Sequence, residues 1–142
     1  MRIIDKLRSE RKKKKDPLYS MKFGNNHNVE EFLHGYCNLF LVYFLKNTRG
    51  WTGKIMVRPS NKMIIHAYAT RINEDGEVLY ADARGVTNDE KEFFKPYWFR
   101  SKDVKIHDIT QEEIEKSFIR IKEEGLEKAI SELFEYVYCL TN

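Results

Sequence analysis

The chain has 142 residues, 42% of them hydrophobic and 13% aromatic. That is the length of one domain, with enough apolar side chain to bury a core, and it excludes a wholly disordered chain. No run of about 18 apolar residues occurs, so a membrane-spanning helix is not expected.

No apolar stretch with a small-residue cleavage site follows the basic start, so a secretory signal is not expected. Two cysteines do not make a disulfide framework. The expectation is a cytoplasmic protein with reduced thiols. The net charge of +3 hides an asymmetry, because eight of the 25 Lys/Arg fall in residues 1–15, against only Asp5 and Glu10. The remainder is mildly acidic.

Residues 1–16 open with a weak amphipathic pattern of Ile3, Ile4 and Leu7 and end in Lys12, Lys13, Lys14 and Lys15. Such a run repels itself and stays solvated. It reads as a flexible basic arm, either merely solubilising or contacting nucleic acid or another acidic partner through phosphate-type contacts. Residues 17–142 read as a single domain.

Asn28 followed by Glu31 is a helix-capping pair, with Val29, Phe32 and Leu33 supplying an apolar face. Gly35 is placed to end this short helix in a left-handed conformation. Residues 37–46 are apolar nearly all round, which predicts a buried central helix. Strands are predicted over 54–58, 63–72, 77–83 and 104–109. Asn73-Glu74-Asp75-Gly76 links the second and third as a hairpin. Residues 93–99 read as an aromatic loop, a lid on the core rather than a site.

Thr110 with Glu113 makes a second capping box. Ile114, Phe118 and Ile121 recur at helical spacing, Gly125 interrupts, and Leu126, Ile130, Leu133, Phe134 and Val137 resume. Two helices, or one kinked helix, are predicted. The order implies an α+β fold, in which a helix bearing Cys37 packs on an antiparallel sheet with C-terminal helices beside it.

Three residues point to chemistry. Cys37 begins the buried helix, where unpaired N–H groups and the helix dipole favour a thiolate and are placed to hold a developing oxyanion. His66 shares a strand face with Ile64 and Tyr68 and has the chemistry of a base toward a thiol. Asp82 is the candidate third member, orienting the imidazole. A hairpin turn centred on Glu74 sets His66 and Asp82 side by side. A two-residue Asp75-Gly76 loop instead puts Asp82 on the other face unless a bulge intervenes.

Each residue also has a plain structural reading: a core cysteine, a structural strand histidine, and a strand end and turn at Asp82-Ala83-Arg84-Gly85. His34 lies three residues before Cys37 and competes with His66. Cys37, His34, His66 and Asp82 would also make a metal set, but zinc sites usually show paired short spacings and only one is present. His27 and His107 have no companion pattern, and Cys139 reads as packing.

At these residues the chain resembles the papain-like cysteine peptidase superfamily in its broad sense, particularly its NlpC/P60-type and transglutaminase-like members. The likeness lies in Gly35-Tyr36-Cys37, then Ile65-His66-Ala67, then Tyr80-Ala81-Asp82, and covers residues 28–109. It implies Cys37 as nucleophile, His66 as base and Asp82 as its orienting group, with no cofactor and a protein or peptide substrate. Asn38 stands where related families often carry Trp, and no upstream Gln is evident as oxyanion donor, leaving Asn25, Asn26 or Asn28 as substitutes.

Two functions follow as expectations. One is a thiol-dependent acyl-transfer enzyme: a peptidase, amidase, deamidase or transglutaminase. The other is a non-catalytic inhibitor or adaptor of a mobile genetic element, using its basic arm on nucleic acid or a nucleoprotein.

Overall fold

The computed structural model describes residues 17–24, 26–97, 103–118 and 125–139. The basic arm, with Lys12, Lys13, Lys14 and Lys15, lies outside them, as do Asn25 and Ile121.

Five antiparallel strands form one sheet: β1 (Thr52–Arg58), β2 (Met63–Ile72), β3 (Val78–Asp82), β4 (Gly85–Thr87) and β5 (Lys105–Ile109). Their order is β4-β3-β2-β1-β5, so a four-strand meander gains β5 on its β1 edge. The helices are α1 (Glu31–His34), α2 (Cys37–Asn47), α3 (Glu90–Phe94), α4 (Gln111–Phe118) and α5 (Leu126–Phe134), with a π-helical turn over Glu135–Cys139. The class is the α+β one expected. None of the described helices is long and apolar enough to cross a membrane.

Helix α2 lies on one face of the sheet because β2 and β3 turn small residues toward it. Ala67, Ala69 and Ala81 are buried in the same cluster as Phe40, Leu41 and Phe44 of α2 and Ala129, Leu133 and Phe134 of α5. Methyl side chains let the helix backbone approach closely, and the large side chains then come from the helices. Gly53 of β1 serves the pairing with β5 instead, since a Cβ there would meet the carbonyl oxygen of its partner Ile109 at 2.5 Å.

The opposite face is aromatic. Tyr68 and Tyr80 from the sheet pack against Phe93 and Phe94 of α3, at ring-centroid distances of 5.0 to 5.6 Å. Here the structure corrects an expectation, because Phe93 and Phe94, the start of the expected aromatic loop over 93–99, belong to the helix Glu90–Phe94. The Asp89 carboxylate accepts the Glu92 N–H at 3.1 Å and so caps α3. Residues 98–102 are outside the described set.

Both capping boxes form. Asn28 and Glu31 exchange side-chain bonds with each other's N–H groups at 2.7 and 3.3 Å, and Thr110 and Glu113 do so at 2.9 and 3.1 Å. Gly35 does not adopt the expected left-handed conformation. Its φ is −119°, and both Gly35 and Tyr36 donate to the Glu31 carbonyl. The chain therefore passes from α1 straight into α2 without a left-handed reversal. Gly125 does take the left-handed conformation, at φ 82°, where α5 begins.

Two register details position the site. The β2–β3 hairpin pairs Ala69 with Ala81 and Ile72 with Val78, leaving a five-residue loop over 73–77. Continued one step, this register sets Asp82 opposite Tyr68, so Asp82 is a diagonal neighbour of His66 on the same face. Between β1 and β2, Met56 pairs with His66 but Val57 pairs with Ile64. Ile65 is thus a bulge immediately before His66, and bulges re-aim the side chains beside them.

Candidate functional site

His66, Asp82, Arg84 and Tyr97 form a buried polar cluster on the aromatic side, with exposures of 0%, 3%, 4% and 1%. His66 Nε2 meets Asp82 Oδ2 at 3.0 Å. Arg84 clamps the same carboxylate. Its guanidinium Nε donates to both oxygens at 3.2 and 3.1 Å, its second nitrogen donates at 2.6 Å, and its backbone N–H adds a bond of 2.8 Å. The guanidinium also donates to the Phe93 carbonyl at 3.1 Å and lies over the Phe93 ring. Tyr138 donates its hydroxyl to the Asp82 carbonyl.

The other imidazole nitrogen is also taken. Tyr97 Oη lies 3.1 Å from His66 Nδ1 and 2.8 Å from the Leu33 carbonyl at the end of α1. The Tyr97 ring stacks on the imidazole, with centroids 4.5 Å apart and planes 21° apart. Tyr68 stacks on it too, at 5.7 Å.

These bonds fix the electrostatics. Burial pushes His66 below the ordinary histidine value of 6.5 and outweighs the pull of Asp82, while the Arg84 charge adds to the lowering. Arg84 loses hydration by burial, but Asp82 more than compensates and holds it above the ordinary arginine value. Imidazole is therefore neutral at neutral pH, beside a closed carboxylate–guanidinium pair.

Cys37 is the first residue of α2 and is 6% exposed. It packs in the helical core with Ala67 and Ala69, the residues of β2 that alternate with His66 and Tyr68. Burial pushes its thiol up to about 11 from the ordinary 9.0, and the Asp82 charge adds to this. Hydrogen bonding from the backbone of Ala67, Asn38 and Cys37 itself opposes the rise without reversing it. The helix terminus acts in the expected direction, but desolvation is the larger effect.

Of the three expected site residues, the fold thus joins His66 to Asp82 directly. It brings Cys37 to the backbone of Ala67, one residue from His66, while Asp82 and Tyr97 hold the imidazole nitrogens. His34 packs its ring on Tyr97, with centroids 5.6 Å apart, and lies 3.7 Å from Glu30. Among the described residues no group of three or more His, Cys, Asp or Glu is placed to hold a metal ion.

Of the candidate oxyanion donors, Asn28 is engaged in its capping box and Asn26 is exposed. His27, which has no companion pattern in the sequence, is buried 3.1 Å from Glu31. The side chain of Cys139 is outside the described set.

Sequence reasoning missed Arg84 and Tyr97. A basic residue two after the proposed acid was a usable signal, because that spacing allows a turn in which the side chain folds back on the carboxylate. Tyr97 lay within the aromatic segment 93–99 and carried no signal of its own. No protein family, curated protein or solved structure matches the chain.

Proposed function

We propose that the protein is a cysteine-dependent acyl-transfer enzyme of papain-like type, held in a closed resting state. The observation that carries this reading is the His66–Asp82 pair, buried together at 3.0 Å beside the residue against which Cys37 packs. Burying an imidazole, a carboxylate and a guanidinium costs several kcal/mol per ion in desolvation, and well-packed apolar residues would often serve stability as well. An imidazole held by an aspartate, one residue along β2 from the alanine against which a helix-terminal thiol packs, gives that cost a use.

In the reaction, the Cys37 thiol proton passes to His66 Nδ1 as sulfur adds to the carbonyl carbon of an amide, ester or thioester. The intermediate collapses, the imidazolium returns the proton to the leaving group, and a thioester on Cys37 remains. Water or an amine then attacks that thioester and the thiol is released. Asp82 holds Nε2–H and so keeps Nδ1 as the base. The substrate class is a protein or peptide in the reducing cytoplasm.

The test is acylation by p-nitrophenyl acetate in protein carrying Cys139→Ser. The expected result is release of p-nitrophenol matched by an acetyl group on Cys37, slowed at least about tenfold by His66→Gln, in line with the usual contribution of a general base. Acylation indifferent to His66 would overturn the reading.

A second reading rests on the same bonds. With both imidazole nitrogens held and the thiol neutral, the cluster serves as the structural hub of a non-catalytic binding domain. In that case Lys12, Lys13, Lys14 and Lys15 make the contact with nucleic acid or a nucleoprotein, as an inhibitor or adaptor of a mobile genetic element would. Binding that falls steeply with salt and vanishes when residues 1–16 are deleted would favour it.

A further inference from the structure

Tyr97 has one hydroxyl proton, and among the described residues its oxygen meets the Leu33 carbonyl at 2.8 Å and His66 Nδ1 at 3.1 Å. Two arrangements of protons satisfy this geometry. If Tyr97 donates to Leu33, its oxygen accepts from Nδ1–H, which together with Nε2–H on Asp82 makes the ring an imidazolium, the form that burial of His66 opposes. If Tyr97 donates to Nδ1, the lone pair of that nitrogen is occupied. In both, Nδ1 is closed to a thiol, while Nε2 is held by Asp82.

The hydroxyl is held firmly in place. The Tyr97 ring is stacked on the imidazole and is 1% exposed. Its segment is anchored from the sheet, because Arg84 donates to the Phe93 carbonyl and Phe93 is fully buried. The His34 ring covers Tyr97 from the α1 side. Arg84 thus grips both the carboxylate that orients His66 and the helix that leads to Tyr97.

We propose that Tyr97 is an autoinhibitory latch, its hydroxyl occupying the imidazole nitrogen through which His66 would activate Cys37. This rests on the acyl-transfer reading and adds regulation of the same site. Displacing the hydroxyl would free Nδ1 as a base with no change in the His66–Asp82 pair, and the Cys37 thiol, which packs with Ala67 and Ala69 on the other face of β2, must turn toward it to be activated.

The experiment compares p-nitrophenyl acetate acylation of Cys37 in four full-length proteins carrying Cys139→Ser: otherwise unchanged, His66→Gln, Tyr97→Phe, and Tyr97→Phe with His66→Gln. Tyr97→Phe keeps the stacked ring and removes only the hydroxyl. Thermal melting followed by circular dichroism checks that each variant is folded at the assay temperature.

The expected result is acylation about tenfold faster in Tyr97→Phe, with the gain lost when His66→Gln is added, the size of one general base brought into play. If the unchanged protein acylates in a His66-dependent way and Tyr97→Phe is no faster, the latch is overturned and the enzyme reading stands. If Tyr97→Phe is faster and equally fast with His66→Gln, the hydroxyl merely shielded the thiol and the latch is again overturned. If no protein of the four shows dependence on His66, both fall. Should Tyr97→Phe fail to fold, Leu33→Pro is no substitute, and ring ¹⁵N shifts of His66 in the unchanged protein decide instead. An Nδ1 that is hydrogen-bonded supports the latch, and an Nδ1 free of any bond overturns it.

Discussion

On the helical face of the sheet, Ala67, Ala69 and Ala81 lie under Phe40, Phe44, Leu133 and Phe134, and stability comes from apolar area and close fit. On the other face, Tyr68, Tyr80 and Phe93 surround His66, Asp82 and Arg84, and the same depth of burial is applied to charges. The first face tolerates any well-filled apolar set. The second holds only while each polar group keeps its partner, because low dielectric strengthens a satisfied network and penalises a broken one. The difference separates a surface that builds the domain from one that constrains a few atoms.

The strongest way to break this contrast is Arg84→Met. It leaves the Asp82 carboxylate buried without its guanidinium, and urea denaturation is expected to show a loss of about 3–5 kcal/mol. Adding Asp82→Asn should restore part of that loss, because no uncompensated charge remains. A loss below about 1 kcal/mol for the single variant, in the range of an exposed pair, would mean that the cluster is not closed from water.

Ala69→Leu probes the other face. Three more carbons between β2 and α2 are expected to cost about 1–3 kcal/mol by overpacking, read as a lower urea midpoint. A neutral result would show slack between helix and sheet, contrary to complete burial at Ala69.

The smallest effect is the pH dependence. His66 is held below 6.5, so as pH falls the unfolded chain takes up a proton that the folded chain refuses. Stability from this source is intact above pH 6.5 and is lost as pH drops from there through the folded value. The melting temperature of the unchanged protein should therefore fall across that window, and that of His66→Gln should fall less. Parallel curves would place the imidazole in a wetter setting than the aromatic face provides.

Much of this was open to a reader of the chain alone. The capping boxes at Asn28 and Thr110, the apolar run beginning at Cys37, and the alternation over Met63–Ile72 depend on neighbours in sequence, and each formed. The helix over Glu90–Phe94 was missed because the aromatic run that follows outweighed its Asp89 cap. The pairing of His66 with Asp82 was one of two hairpin registers the loop allowed. Neither formed: the five-residue loop over 73–77 is centred on Asp75, so Asp82 faces Tyr68 and reaches His66 only as a diagonal neighbour on the same face.

What the sequence by itself determined was the α+β order of elements and the proximity of a histidine and an aspartate across one hairpin, because these depend on short-range periodicity and turn length. What only the tertiary structure decided was the state of the site. Arg84 reaches Asp82 through a turn, Tyr97 reaches His66 from 31 residues away, and the bulge at Ile65 re-aims the strand just before the imidazole. A thiol at a helix start reads as activated in sequence. Its rise to about 11 belongs to the surrounding protein, because desolvation depends on every atom packed around it and not on the residues beside it in the chain.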